Sequence, residues 1–135
     1  MTLEEKDKRS LSDVRMAKAR EFMEDARANL GEGRLRTAIN RSYYAALSAA
    51  RSILILEGAN PETHEGVVTM LSLRFIKPGI LPVDVVKNFK VLLSRRTDVD
   101  YGDFDTTSRA DAEDSIRITE ETINLVEQAR KKLME

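Results

Sequence analysis

The 135-residue chain predicts an all-α fold, an antiparallel up-and-down helical bundle of about five helices. Three observations lead there. Apolar residues recur at three- and four-residue spacing over long stretches. Glycine and proline fall in clusters that punctuate those stretches, around Gly31 and Gly33, Gly58 and Pro61, and Pro78, Gly79 and Pro82. No segment alternates apolar and polar residues as a strand does.

Taken in order, residues 1–10 carry dense charges of both signs and read as a frayed lead-in. A first helix is predicted over 11–30, where Met16, Ala19, Met23, Ala26 and Leu30 form an apolar stripe with Val14 and Phe22 beside it. Gly31 and Gly33 then permit a tight reversal, so the second helix runs antiparallel to the first.

The second helix is the organising element. Gly33 and Gly58 bracket a stretch without Gly or Pro, which predicts one continuous helix over 34–57. Leu35, Ile39, Ser42, Ala46, Ala50 and Ile53 share one side, widened by Tyr43, Leu47 and Leu54. So many small residues let neighbouring helices approach closely. Thr37, Arg41, Tyr44, Ser48 and Arg51 share the other side, with Arg34 and Asn40 at its margins.

Thr63 suits the N-cap of a third helix over 64–76, with Val67, Val68, Leu71 and Phe75 inward. Pro82 suits the first turn of a fourth, over 82–96. There Val86, Phe89 and Leu93 form a row that Arg96 continues, which aims an arginine toward the bundle. Residues 97–105, rich in aspartate and punctuated by Tyr101 and Phe104, read as a loop whose charges offset Arg95 and Arg96. Thr106, Thr107 and Ser108 offer caps for a last helix over 109–133, with Ala112, Ile116, Thr119, Ile123, Val126 and Leu133 as its seam.

Composition bounds the function. The length suits one domain, 1–135, able to bury roughly two-thirds of its unfolded surface. Lys and Arg number 22 against 23 Asp and Glu, a formal net charge of -1, so no global field draws the chain onto nucleic acid. Any anion recognition must come from local arginine clusters. There is no cysteine, which removes disulfides and thiolate metal ligands and suits a reducing cytoplasm. No apolar run approaches the ~20 residues that span a bilayer. A cytoplasmic protein without membrane contact is expected.

The single histidine, His64, narrows the chemistry. A helical zinc-protease site needs two histidines one turn apart, and a di-iron bundle needs repeated Glu-x-x-His. A calcium loop begun at Asp98 places Gly102 one position early and Arg109 where a bidentate Glu belongs. Neither metal nor cofactor is predicted. His64 reads either as a polar residue at a helix end or as a general base near neutral pH. Metal-free RNA cleavage needs such a base and a cation for the developing phosphorane charge, a role open to Arg96, Arg95 or Arg41. Arg41, Tyr44 and Ser48, successive turns of one face, would clamp a phosphate and stack a base, or else meet a partner helix or solvent. Tyr43 leans to the apolar side, as core whose hydroxyl reaches a partner at the bundle edge.

Three pieces in sequence resemble one family: Asn40-Arg41-Ser42-Tyr43-Tyr44-Ala45-Ala46, His64-Glu65-Gly66, and Arg95-Arg96-Thr97-Asp98-Val99-Asp100-Tyr101. Together they resemble the HEPN domain (higher eukaryotes and prokaryotes nucleotide-binding), in its small stand-alone prokaryotic branch, over about 14–133. The resemblance implies a helical bundle that pairs as a homodimer. Many relatives work with a minimal nucleotidyltransferase as a toxin–antitoxin pair. In active toxins an arginine followed at short spacing by a histidine forms a metal-independent RNase site at the dimer cleft. Here Arg95 and Arg96 match the arginine, while Asp100-Tyr101 stands where the histidine belongs. A carboxylate or a phenol titrates far from neutrality and does not replace an imidazole base. Tyr101 also resembles the tyrosine near that motif that some partner nucleotidyltransferases modify with AMP.

Two functions follow as expectations. The first is a dimeric partner of a nucleotidyltransferase, holding a nucleotide or RNA with Arg41, Tyr44, Ser48, Arg95, Arg96 and Asp100. The second is a metal-independent endoribonuclease with Arg96, His64 and Tyr101 as catalytic groups. A ligand-free dimer whose arginines only pair with aspartates stands beside them.

Overall fold

The computed structural model describes residues 3–135, and these form an all-helical, antiparallel bundle. Its helices are α1 (Glu5–Gly31), α2 (Leu35–Leu54), α3 (His64–Leu71), α4 (Asp84–Tyr101) and α5 (Arg109–Leu133). A 3-10 turn, Ile55–Glu57, extends α2, and a π-helical segment, Ser72–Ile76, extends α3.

The α1–α2 reversal uses the predicted glycine pair. Gly33 takes φ +76°, a left-handed conformation with little cost only for glycine. The N–H groups of Gly33 and Arg34 then return to the carbonyls of Leu30 and Asn29 at 3.0 and 2.8 Å, closing the end of α1. At the far end Gly58, φ +74°, stops the 3-10 turn, so the predicted single helix over 34–57 tightens in its last residues.

α2 packs against α1, α4 and α5, and its alanines explain how. Ala38, Ala45, Ala46, Ala49 and Ala50 are all buried, on more than one side of the helix, so several neighbours approach its backbone at once. The main core joins Ala45, Ala46, Ala49 and Ala50 to Met16, Met23, Val67, Leu71, Phe75, Phe89, Leu92 and Ile123. A smaller cluster of Ala38, Ile39, Val99 and Ala112 seals the end where α4 and α5 meet.

Caps expected from sequence are in place. The Thr63 hydroxyl accepts from Gly66 N–H at 2.9 Å, and the Ser108 hydroxyl accepts from Asp111 N–H at 3.0 Å.

Two boundaries differ from the sequence prediction. α1 is helical from Glu5, where a frayed lead-in is predicted; residues 1 and 2 of that segment lie outside the described residues. Glu5 and Asp7 complement the helix dipole, Lys8 pairs with Glu5 at 3.3 Å, and the first turns lean on the 3-10 turn after α2. α4 starts at Asp84 and runs to Tyr101, through residues predicted as loop. Val99 is buried two turns beyond Leu92, and that packing outweighs the weak helix propensity of Thr97, Asp98 and Asp100.

Candidate functional site

Extending α4 by one turn decides the geometry of the site. With residues 96–100 helical, Asp100 lies one turn beyond Arg96, and its Oδ2 is 2.8 Å from Arg96 Nε. The N–H of Nε is turned off that oxygen and finds no hydrogen-bond acceptor among the described residues. Arg96 Nη2 donates to the Tyr44 hydroxyl on α2 at 3.0 Å. The guanidinium carbon lies 5.5, 5.6 and 5.7 Å from the ring centres of Tyr43, Tyr44 and Tyr101, so all three tyrosines of the chain surround one cation. Burial alone would lower the Arg96 guanidinium; Tyr44, Asp100 and Tyr101 outweigh it and raise it, so it stays charged.

Tyr43 anchors the interior side. It is fully buried, and its hydroxyl shares a hydrogen bond with His64 Nδ1, the first residue of α3. Its ring meets those of Phe89 and His64 at 5.5 Å each. Burial pushes its phenol up to about 12, against the opposing pull of the Arg96 charge. His64 and Arg96 therefore both touch Tyr43, one at its hydroxyl and the other over its ring.

Toward solvent, a cleft of about 440 Å³ opens between α2 and the end of α4, lined by Arg36, Thr37, Asn40, Arg41, Val99 and Asp100. Asn40 Nδ2 donates to both carboxylate oxygens of Asp100 at 3.2 Å, and Arg36 donates to the Val99 carbonyl. Arg41 stands over the Phe22 ring at 5.8 Å, and Phe22 lies 5.8 Å from Tyr44. Arg41 and Arg96 thus flank one surface, joined by Tyr44 and Phe22 on one side and by Asp100 on the other.

The structure brings together Arg41, Tyr44, His64, Arg96, Asp100 and Tyr101 of the residues singled out from sequence. Arg95 turns away. Its Nη1 donates to Asp114 at 2.9 Å and to the Ser115 hydroxyl at 3.1 Å, both on α5. Asp114 is held below the usual carboxylate range by hydrogen bonds from Arg117 and, against burial, from Arg95. Of the loop aspartates expected to offset Arg95 and Arg96, Asp100 meets Arg96, whereas the carboxylates near Arg95 come from α5. Ser48 is half-buried, one turn past Tyr44.

Arg36, Thr37 and Phe22 were not singled out for the site. Phe22 comes from another helix, which periodicity within α2 does not report. Arg36 and Asn40 do stand one turn apart, so that pair was legible in the sequence.

Among the described residues no group of three or more His, Cys, Asp or Glu is placed to hold a metal ion. No helix there is long and apolar enough to cross a membrane.

Comparison with known proteins gives the same family as the motifs. A UPF0332 protein of Thermotoga maritima is 27% identical over 121 residues, covering 90% of this chain and 92% of the relative. UPF0332 protein PH1297 of Pyrococcus horikoshii is 40% identical over 52 residues, covering 38% of this chain and 37% of the relative. The crystal structure of TT1696 from Thermus thermophilus superimposes with a TM-score of 0.75 at 20% identity, covering 87% of this chain and 97% of that one, and shares its fold. The HEPN domain family matches residues 12–129, nearly the whole bundle, and the chain belongs to that family.

Proposed function

We propose that this HEPN protein is a dimeric binding module that holds a nucleotide or RNA in the α2–α4 cleft and works with a minimal nucleotidyltransferase, in the manner of a toxin–antitoxin pair. The observation that carries this reading is the state of Arg96. Its charge is matched by Asp100, its Nη2 is engaged by Tyr44, and no imidazole follows it on α4. His64 Nδ1 is likewise engaged, by the buried Tyr43 hydroxyl. A pair of groups held this way supports a fixed wall better than a general base and a transition-state cation. Arg41, stacked on Phe22 at the mouth of the cleft, is the cation best placed to meet phosphate, with Tyr44 behind it.

The test is a binding titration with single-stranded RNA and with a nucleotide at low salt. Arg41→Gln should weaken binding by about tenfold, as loss of one charge-assisted contact does. Salt should weaken it steeply in the parent. Unchanged affinity in Arg41→Gln, or no binding at low salt, removes the cleft. Co-purification with the nucleotidyltransferase tests the partnership, and light scattering that shows a monomer at micromolar concentration removes the dimer.

A ribonuclease remains the second reading because Arg96 and His64 both contact Tyr43. It requires RNA cleavage in EDTA that disappears in both Arg96→Ala and His64→Ala. Cleavage that survives either change belongs to another site or another protein.

A further inference from the structure

Most arginines of this molecule sit against acids. Arg20, Arg27, Arg95, Arg96, Arg117 and Arg130 each lie 2.7–3.5 Å from a carboxylate oxygen. Arg15 on α1 and Arg51 in the last turn of α2 do not: among the described residues no carboxylate is within ion-pair distance of either. The sequence places no acid three or four residues from either one. Yet the two are neighbours. Arg15 Nη1 donates to the Arg51 backbone carbonyl at 3.4 Å, which lays one guanidinium over the root of the other across the helix seam. Both side chains are half-buried, and Arg51 Nε is shielded from water without an acceptor among the described residues.

The helix dipole accounts for one cation at the end of α2 but not for a second beside it. Burial, and then the charge of Arg51, depress the Arg15 guanidinium, so the two repel. Arg51 also pulls the Tyr43 phenol down, as Arg96 does, against its burial. A half-buried cationic pair is unfavourable on its own and becomes favourable when an oxyanion meets both forks.

We propose that Arg15 and Arg51 form a receptor for a phosphate monoester, at the α1–α2 seam and separate from the α2–α4 cleft. The match is in charge and shape. A phosphate monoester carries a charge of about −2 and three strong acceptor oxygens. Two guanidinium forks supply two charges and their outer N–H donors. A backbone phosphodiester carries half that charge, so this site selects a terminal phosphate over the body of an RNA strand. The site does not depend on the function proposed above.

Calorimetric titration of the full chain at constant ionic strength tests it, with inorganic phosphate, AMP and dimethyl phosphate as probes and chloride as the reference. Phosphate and AMP should bind, and dimethyl phosphate should bind about tenfold more weakly or not at all. Arg15→Gln and Arg51→Gln should each weaken phosphate by about tenfold or more, and Arg51→Lys, which keeps charge but loses the planar fork, by several-fold. The exposed Arg74→Gln should leave the phosphate titration unchanged. Both glutamine variants should melt no lower than the parent, since each relieves a repulsion. AMP binding about tenfold tighter than phosphate assigns the site to a nucleotide's terminal phosphate, and equal affinities assign it to the free ion. The proposal is overturned if phosphate gives no heat beyond chloride, or if both glutamine variants bind like the parent. It is also overturned if Arg51→Gln dissociates a dimer that phosphate does not touch, because the missing acid would then belong to a second copy.

Discussion

Tyr43 shows how one side chain connects core and site. Its ring completes the packing around Phe89, while its hydroxyl fixes His64 at the start of α3. The phenol is raised from 10.0 to about 12, mainly by burial. A raised acid favours its neutral form in the fold, so this contribution is complete below pH 10 and is lost as pH rises from 10 toward 12. The loss amounts to about 2–3 kcal/mol at the top of that range. Chemical denaturation of the parent and of Tyr43→Phe between pH 9 and 12 (about these limits) checks it. The parent should lose stability over that range and the variant should lose less, starting about 1 kcal/mol lower near neutrality for want of the hydroxyl. Equal slopes would mean that Tyr43 ionises as a free tyrosine does. Its burial and its polar partner were both legible from its place on the apolar margin of α2; the identity of that partner was not, because His64 lies on another helix.

At the level of the element, the last turn of α4 carries the site. It lifts Asp100 against Arg96 and Asn40, buries Val99, and lays Tyr101 against the guanidinium while leaving that ring 72% exposed. Gly102 ends the helix with φ −74°, which any residue adopts, but its N–H returns to the Asp98 carbonyl at 2.9 Å. A Cβ there would lie 2.5 Å from that carbonyl oxygen. Gly102→Ala should therefore unwind the last turn and cost about 1–3 kcal/mol. Amide hydrogen exchange should report faster exchange at 99–102 with α5 unaffected, and protection unchanged from the parent would contradict the crowding. The sequence hid this turn because Thr97, Asp98 and Asp100 are residues that compete with helix locally. Contacts from α2, at Asn40, Arg36 and the Ala38–Ile39 surface, hold it.

Across the whole molecule, the two ends of the chain are tied together by a buried arginine. Arg130 near the end of α5 donates to the Ser12 hydroxyl at 2.6 Å, to Asp13 at 3.1 Å and to Glu127 at 2.7 Å. Ser12 in turn donates to the Ser52 carbonyl on α2 at 2.5 Å, so α1, α2 and α5 share one network. Burial alone would raise the Glu127 carboxyl, but the hydrogen bond and charge of Arg130 outweigh it and hold it below its ordinary 4.5. That contribution is present above pH 4.5 and is lost as pH falls through the lower, folded value. Arg130→Met should cost about 3 kcal/mol, since it removes the buried donor shared by Ser12, Asp13 and Glu127. Its stability should also fall less steeply than the parent's below pH 4.5, as followed by urea denaturation. A loss under about 0.5 kcal/mol would show that the network is only a surface ion pair.

The spacing of apolar residues and the glycines at 33 and 58 were enough to determine an all-α antiparallel bundle with α2 at its centre, because helical periodicity and turn chemistry are local properties. The order of the Asn-Arg, His-Glu-Gly and Arg-Arg motifs along the chain was enough to determine the family. Which arginines share a surface was decided only by tertiary structure. Arg95 and Arg96 are adjacent in sequence, yet a helix separates neighbours by about 100°. One therefore reaches α5 and the other enters the tyrosine cage on α2. Arg15 and Arg51, far apart in the chain, meet because two antiparallel helices bring their seam residues together, a consequence of packing that no single helix encodes.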